Sequence, residues 1–252
     1  MATYLVSGAG RGLGLELVTQ LLASSAVAKV FATTRGDPSS ALQELVDAGK
    51  GRLIHVRLDP LDRSSVEAAL PEVESHLDGQ ALDVVINNVG HMPMTRKALA
   101  QRMLDLTSTF QANVVSAHNI TSVFLPLLER GGEKKVVNIS TTLGSFDFAP
   151  RYVVFPVPAY KIAKAALNML TLQYAQDLAG KGFIVFAISP GWVRTDLGGE
   201  QADLTVEQSA SAVLKQVYDS DKGSNGKFYN IHVPGWEDNP GLNQYPGGVT
   251  PW

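Results

Sequence analysis

Tyr4-Leu5-Val6-Ser7-Gly8-Ala9-Gly10-Arg11-Gly12-Leu13-Gly14 is the stretch that decides the fold. Its first three residues read as a strand, and from Leu13 to Leu22 apolar residues recur at three- and four-residue spacing, as on one face of a helix. Glycines fill the turn between them. A strand, a glycine turn and a helix start aim backbone N–H groups and the positive end of the helix at one point, which suits a pyrophosphate. The glycines permit a tight turn and close approach of a ligand. A glycine triplet alone is only a flexible turn; its place between strand and helix gives it weight.

Outward from this turn, short apolar runs rich in β-branched residues recur at 30–33, 53–56, 84–86, 136–139 and 184–188. Most are too continuous to alternate between a wet and a dry face, so they read as strands buried on both sides, which belong to parallel sheets covered by helices. Helical periodicity fills the gaps at 13–22, 40–48, 64–77, 98–128 and 159–178. The expected fold is therefore α/β, a single Rossmann-like, doubly wound parallel sheet flanked by helices on both faces, with ligands at the carboxyl ends of its strands. Residues 1–232 form one expected domain. The tail 233–252 carries Pro234, Pro240, Pro246 and Pro251 and reads as a terminal loop, which Trp236 and Trp252 can pin to the same domain.

The bulk numbers exclude several function classes. A formal net charge of −3 gives no basic excess for nucleic acid, and the chain has no cysteine for a disulfide, a thiol nucleophile or a thiolate metal site. His55, His76, His91, His118 and His232 lack close metal-ligand spacing, so no metal is expected. There is no signal-peptide pattern at the start and no apolar run long enough for a membrane span, so the expected location is the cytoplasm.

Chemistry concentrates in Tyr160-Lys161-Ile162-Ala163-Lys164. Residues at i and i+4 share a helix face, so a phenol and an ammonium can enter one cleft, where the cation favours the phenolate and brings it toward working range. Tyr152 is a weaker candidate, because Pro156 occupies its i+4 position. Asn113, in Phe110-Gln111-Ala112-Asn113-Val114, is an amide in an apolar helical run and needs partners. Ala32-Thr33-Thr34-Arg35 ends the second strand without an acid, and Arg11 and Arg35 suit a phosphate. Asp37 before Pro38 opens a turn, and Asp62 reads as a helix cap.

Six motifs in one order resemble the short-chain dehydrogenase/reductase family, from Thr3 to about Asn230. The glycine loop is similar to the family's TGxxxGxG, with Ser7 for threonine and Gly8, Gly12 and Gly14 in place, followed by Leu13. The resemblance puts Thr34 where NAD-selecting members carry an acid, and with Arg11 and Arg35 it implies NADP(H). It places Asp59 against the adenine, though a helix-opening role is open too. Asn87-Asn88-Val89-Gly90 resembles NNAG, so Asn88 and Gly90 border the cofactor and the amides tie central strands together. In Ser189-Pro190-Gly191-Trp192-Val193-Arg194-Thr195, similar to PGxVxT, Pro190, Val193 and Thr195 close over the nicotinamide.

By the same resemblance Tyr160 and Lys164 are the proton-transfer pair and also touch the cofactor, Asn113 positions a water relay, and Thr141 holds the substrate carbonyl, with Ser140 the alternative if the register shifts. The lengthened stretch before Tyr160 is similar to the sniffer-like, C-factor-like carbonyl reductases and to fungal ketoreductases. The implied reaction is reduction of a ketone or aldehyde to an alcohol, or its reverse, on a small molecule, bulky and uncharged by the apolar content of 92–96, 151–158, 197–203 and the tail. The helices at 98–128 and 159–178 correspond to the family's usual dimer surface, which implies a homodimer or homotetramer. A cofactor-binding scaffold without net redox chemistry, in a binding or cyclisation role, is the alternative, and the departures at Thr141 and Val89 are its support.

Overall fold

Among the described residues seven strands make one sheet in the order β3-β2-β1-β4-β5-β6-β7. They are β1 (Ala2–Ser7), β2 (Val27–Thr34), β3 (Leu53–Arg57), β4 (Val84–Asn87), β5 (Lys135–Ile139), β6 (Ile184–Ser189) and β7 (Phe228–Asn230). All their pairings are parallel. The structure, a computed structural model, describes residues 1–94 and 103–252. The chain winds outward from β1 to β3 and then returns to lay β4 beside β1, so the switch point, and with it the ligand crevice, lies at the carboxyl ends of those two strands.

The continuous apolar runs have the expected cause. Tyr4, Val6, Ile86, Val137 and Phe186 face one side, against Leu17, Val18 and Leu21 of α1 (Gly12–Ala23) and Val213, Leu214 and Val217 of α7 (Val206–Asp219). Leu5, Phe31, Val85, Val136 and Val185 face the other, against Val66 and Val73 of α3 (Arg63–His76) and Ile120 and Phe124 of α5 (Ser116–Glu129). Successive residues thus serve opposite cores, and each strand must be apolar throughout.

Ser39 caps α2 (Ser40–Ala48), Asp62 caps α3 as expected, and Thr205 caps α7 in a reciprocal box with Gln208. The long helix expected at 98–128 is corrected: residues 95–102 lie outside those described, and α4 (Leu106–Phe110) passes through a π-turn (Gln111–Val115) into α5. Asn113 accounts for the wide turn, because its Nδ2 donates to the Thr109 carbonyl at 2.8 Å and competes with the helical ladder.

Beyond β7 the tail folds back through the antiparallel bridges Tyr229↔Val249 and His232↔Pro246. Trp252 stacks on Phe228 with centroids 5.6 Å apart, and Trp236 packs on Tyr245 at 5.5 Å. Among the described residues no helix is long and apolar enough to cross a membrane.

Candidate active site

The glycine loop sits at the switch point in the conformation its composition requires. Gly8 and Gly12 have φ of +67° and +54°, where a side chain would strain the backbone. A Cβ on Gly14 would overlap the Gly8 carbonyl and the Asn88 amide, so a third glycine lets helix and strand meet. Arg11, at the N-cap of α1, makes no side-chain cap, in contrast to the capped α2, α3 and α7, so the first N–H groups of α1 stay open to an anion.

Asn88 and its neighbours brace this loop. Asn88 Nδ2 donates to the Ser7 and Gly8 carbonyls at 3.1 and 3.2 Å, and Ser7 Oγ accepts the Asn88 N–H. Asn87 Nδ2 donates to Asn138 Oδ1 at 2.8 Å, joining β4 to β5, so the two amides do hold the central strands together. A Val89 methyl lies 3.1 Å from the Cβ position of Gly8, pressing the side chain that departs from NNAG onto the loop.

The hydroxyls at the end of β5 divide. Ser140 is buried and its Oγ donates to Asn168 Oδ1 at 2.6 Å, whereas Thr141 is half-buried and its Oγ1, among the described residues, accepts only the Leu143 N–H at 3.3 Å, as cap of a 3₁₀ turn (Thr142–Gly144). Of the two alternatives, Thr141 is the hydroxyl left available. Asn168 escaped the sequence reading, although its spacing from Tyr160 and Lys164, eight and four residues on along α6 (Pro158–Asp177), was a usable signal.

Tyr160 and Lys164 lie on the buried face of α6, the Lys164 Nζ 5.5 Å from the centre of the phenol ring. Among the described residues the Tyr160 hydroxyl makes no hydrogen bond, while Lys164 Nζ donates to the Ile139 carbonyl at 2.6 Å. The expected lowering of the phenol is corrected: burial pushes Tyr160 up from its ordinary value and pushes Lys164 down to about 7. Loss of water around each group is the cause of both shifts.

Asn113 is buried beside this pair. The Cβ position of Gly90 lies 3.3 Å from Asn113 Oδ1 and 3.9 Å from Lys164 Nζ, so glycine leaves open the space between them. Asn113 Nδ2 also donates to the His91 carbonyl at 2.8 Å, which ties the segment after β4 to the π-turn.

After β6, Thr195 brings its methyl to 3.2 Å from the Cβ position of Gly12, and Val193 is buried. The Pro190 carbonyl accepts the Ser209 hydroxyl at 2.7 Å. Trp192 donates through Nε1 to the Gly198 carbonyl and meets the edge of Phe155 at 6.0 Å, so it packs against the segment leading into α6. That segment is further held by Thr142 Oγ1 on the Tyr152 hydroxyl at 3.0 Å and by Arg151 on Gln244 at 2.6 Å.

The adenosine-side residues fall around the ends of β2 and β3. Arg11 pairs with Asp196 at 2.7 Å in full solvent, and Arg35 is exposed with no ion pair among the described residues. Asp59 Oδ1 accepts the Leu61 N–H at 2.9 Å, a turn-forming role. Of the rim residues expected to select substrate, Thr95 and Arg96 lie outside those described.

The family model for short chain dehydrogenases matches residues 2–205. A short-chain dehydrogenase/reductase of Arthrinium sp. is 33% identical over 205 residues, covering 78% of this chain and 76% of its own. The NADPH-bound carbonyl reductase from chicken fatty liver superposes with a TM-score of 0.87 at 29% identity, covering 100% of this chain and 94% of its own. The carbonyl reductase Sniffer of D. melanogaster gives 0.86 at 28% identity, with complete coverage of both chains, 100% and 100%.

Proposed function

The chain belongs to the short-chain dehydrogenase family and is an oxidoreductase, and we propose that it reduces a ketone or aldehyde carbonyl to an alcohol with NADPH, or runs the reverse. The observation that carries this reading is the largely buried Tyr160 ring beside Lys164, with a hydroxyl bonded to no described residue.

The residues present fit a dinucleotide. The uncapped start of α1, the left-handed glycines at 8 and 12, and Thr195 against Gly12 make a cradle for a pyrophosphate, with Leu13 opening the helix. Asn88, Gly90, Pro190 and Val193 would line it, Asp59 would take the adenine side, and Arg11 and Arg35, facing no acid at Thr34, would take a 2′-phosphate. NADPH, when bound there, supplies a hydride.

Thr141 donates a hydrogen bond to the carbonyl oxygen and fixes its direction. Tyr160 then gives its proton to the developing alkoxide, and a phenol raised by burial is fully protonated at neutral pH and ready to donate. Lys164 steadies the phenolate left behind and holds the nicotinamide ribose, and Asn113 orients the water that returns the proton. Exposed Phe146, Val153, Val154 and Leu197, on the segments that flank Thr141 and Tyr160 and follow Thr195, support a bulky, uncharged substrate. Exposed Phe110, Ile162 and Met169 support pairing of two copies through α4 and α6.

Replacing Tyr160 with Phe tests the reading. Turnover of an aromatic ketone, followed by nicotinamide absorbance, should fall at least about a hundredfold, while NADPH binding measured by its fluorescence stays within about threefold. Turnover unchanged in Tyr160→Phe removes the assignment.

A further inference from the structure

The corner where β2 meets α2 carries a cation that the glycine loop and the β2 end do not account for. Arg57, the last residue of β3, stands beside Thr34, the last of β2, in the parallel register. Along each strand Thr34, His55 and Arg57 share the parity of Val30, Ala32 and Leu53, so all three point to the face that holds α1 and α2. The Arg57 side chain is 70% exposed, and its only ionic neighbour among the described residues is Asp37, 3.9 Å away and 95% exposed.

The corner is also ordered in advance. Thr34 Oγ1 donates to the Gly36 carbonyl at 2.6 Å and meets His55 Nε2 at 2.7 Å. Its one proton is spent on Gly36, so the imidazole N–H is the donor to it. The first bond spans Arg35 and holds the turn that presents it, and the second ties the end of β2 to β3. Ser39 Oγ donates to the Gly10 carbonyl at 2.8 Å, tying the same turn to the glycine loop. The backbone beside Arg57 is fixed by the Leu58 N–H on the Thr34 carbonyl at 2.9 Å.

We propose that Arg57 is a specificity-determining residue for the 2′-phosphate of the cofactor, acting with Arg35 on one side of the group while Arg11 reaches it from the glycine loop. The inference rests on the reading of the chain as an NADP(H) enzyme. Among the described residues Asp37 is the one carboxylate in ion-pair reach of Arg57 and Arg35 has none, which leaves an excess of positive charge that an unphosphorylated ribose cannot use and a dianionic phosphate can. Arg57 stands at the end of a hydrogen-bonded strand, and its contact with Asp37 is too long for a hydrogen bond, so little is lost when it turns to the phosphate.

The test compares Arg57→Gln and Arg57→Lys with the wild type, reading Kd for NADPH and for NADH from nucleotide fluorescence at two salt concentrations. Arg57→Gln should weaken NADPH about tenfold and leave NADH within about twofold, with Arg57→Lys between and the salt dependence of NADPH binding shallower than in the wild type. Equal loss of both nucleotides, or loss of neither, overturns the role of Arg57. Preference of the wild-type protein for NADH overturns the NADP(H) reading itself, so the two failures are told apart in one experiment.

Discussion

Gly144→Ala tests whether the distance between the carbonyl-holding turn and α6 sets the rate. A Cβ on Gly144 would lie 2.8 Å from the Lys164 carbonyl carbon, 2.9 Å from the Ala165 nitrogen and 2.9 Å from the Lys164 Cβ. Ordinary carbon contacts need about 3.5–4.0 Å, so the turn must retreat from the helix by roughly 1 Å. The turn begins at Thr141 and the helix carries Tyr160 and Lys164, so the retreat opens the gap between carbonyl oxygen and proton donor. A misplacement of about 1 Å costs on the order of a hundredfold in rate. The overpacking itself costs about 1–3 kcal/mol, which for a domain of this size lowers Tm by about 2–12 °C. Stopped-flow or steady-state kcat, NADPH fluorescence and a thermal melt read the three quantities separately. A kcat within threefold of wild type together with a lowered Tm would refute the claim that this spacing controls the chemistry.

Two further outcomes follow from the same site. Burial holds Lys164 down to about 7, so between that value and the ordinary lysine value the unfolded chain binds a proton the folded chain does not. Its contribution to stability is full above the ordinary value and is lost as pH falls toward and through 7; Lys164→Met should therefore flatten the rise of Tm from pH 7 to 10 relative to wild type, and parallel curves would contradict it. Asp196→Asn removes the partner of Arg11 in a pair that is 82% and 74% exposed, so Tm should not move measurably. It frees the guanidinium for the phosphate, and NADPH should bind about twofold tighter; weaker binding would show that the pair holds the loop in its working shape.

The parts of the fold that were legible are those where burial on both faces leaves a mark in composition. Strands buried by two cores show as apolar runs, and the helix expected at 40–48 is observed at Ser40–Ala48. β7 has only three residues, too few to establish a period, and its pairing with β6 is a long-range contact. α7 also fell outside the expected helices, although Thr205 and Gln208 spell a capping box before the apolar positions Ala210, Val213, Leu214 and Val217. The π-turn shows why a periodic run can mislead: Asn113 keeps the apolar spacing intact while its side chain takes a carbonyl from the ladder.

Within the site, spacing states which groups share a face but not what else claims them. Tyr160 and Lys164 could be paired on helical geometry alone. The choice between Ser140 and Thr141 could not, because Ser140 is taken by Asn168, 28 positions away and in contact only once α6 lies on the sheet. The direction of the Tyr160 shift was hidden for a related reason. A cation one helical turn away argues for a lower value, yet the water that would stabilise both charges is excluded by elements from across the chain, and that exclusion acts on the ammonium as well as the phenol. The two shifts have one cause and opposite signs: exclusion of water favours the neutral form of each group, the protonated phenol and the deprotonated amine.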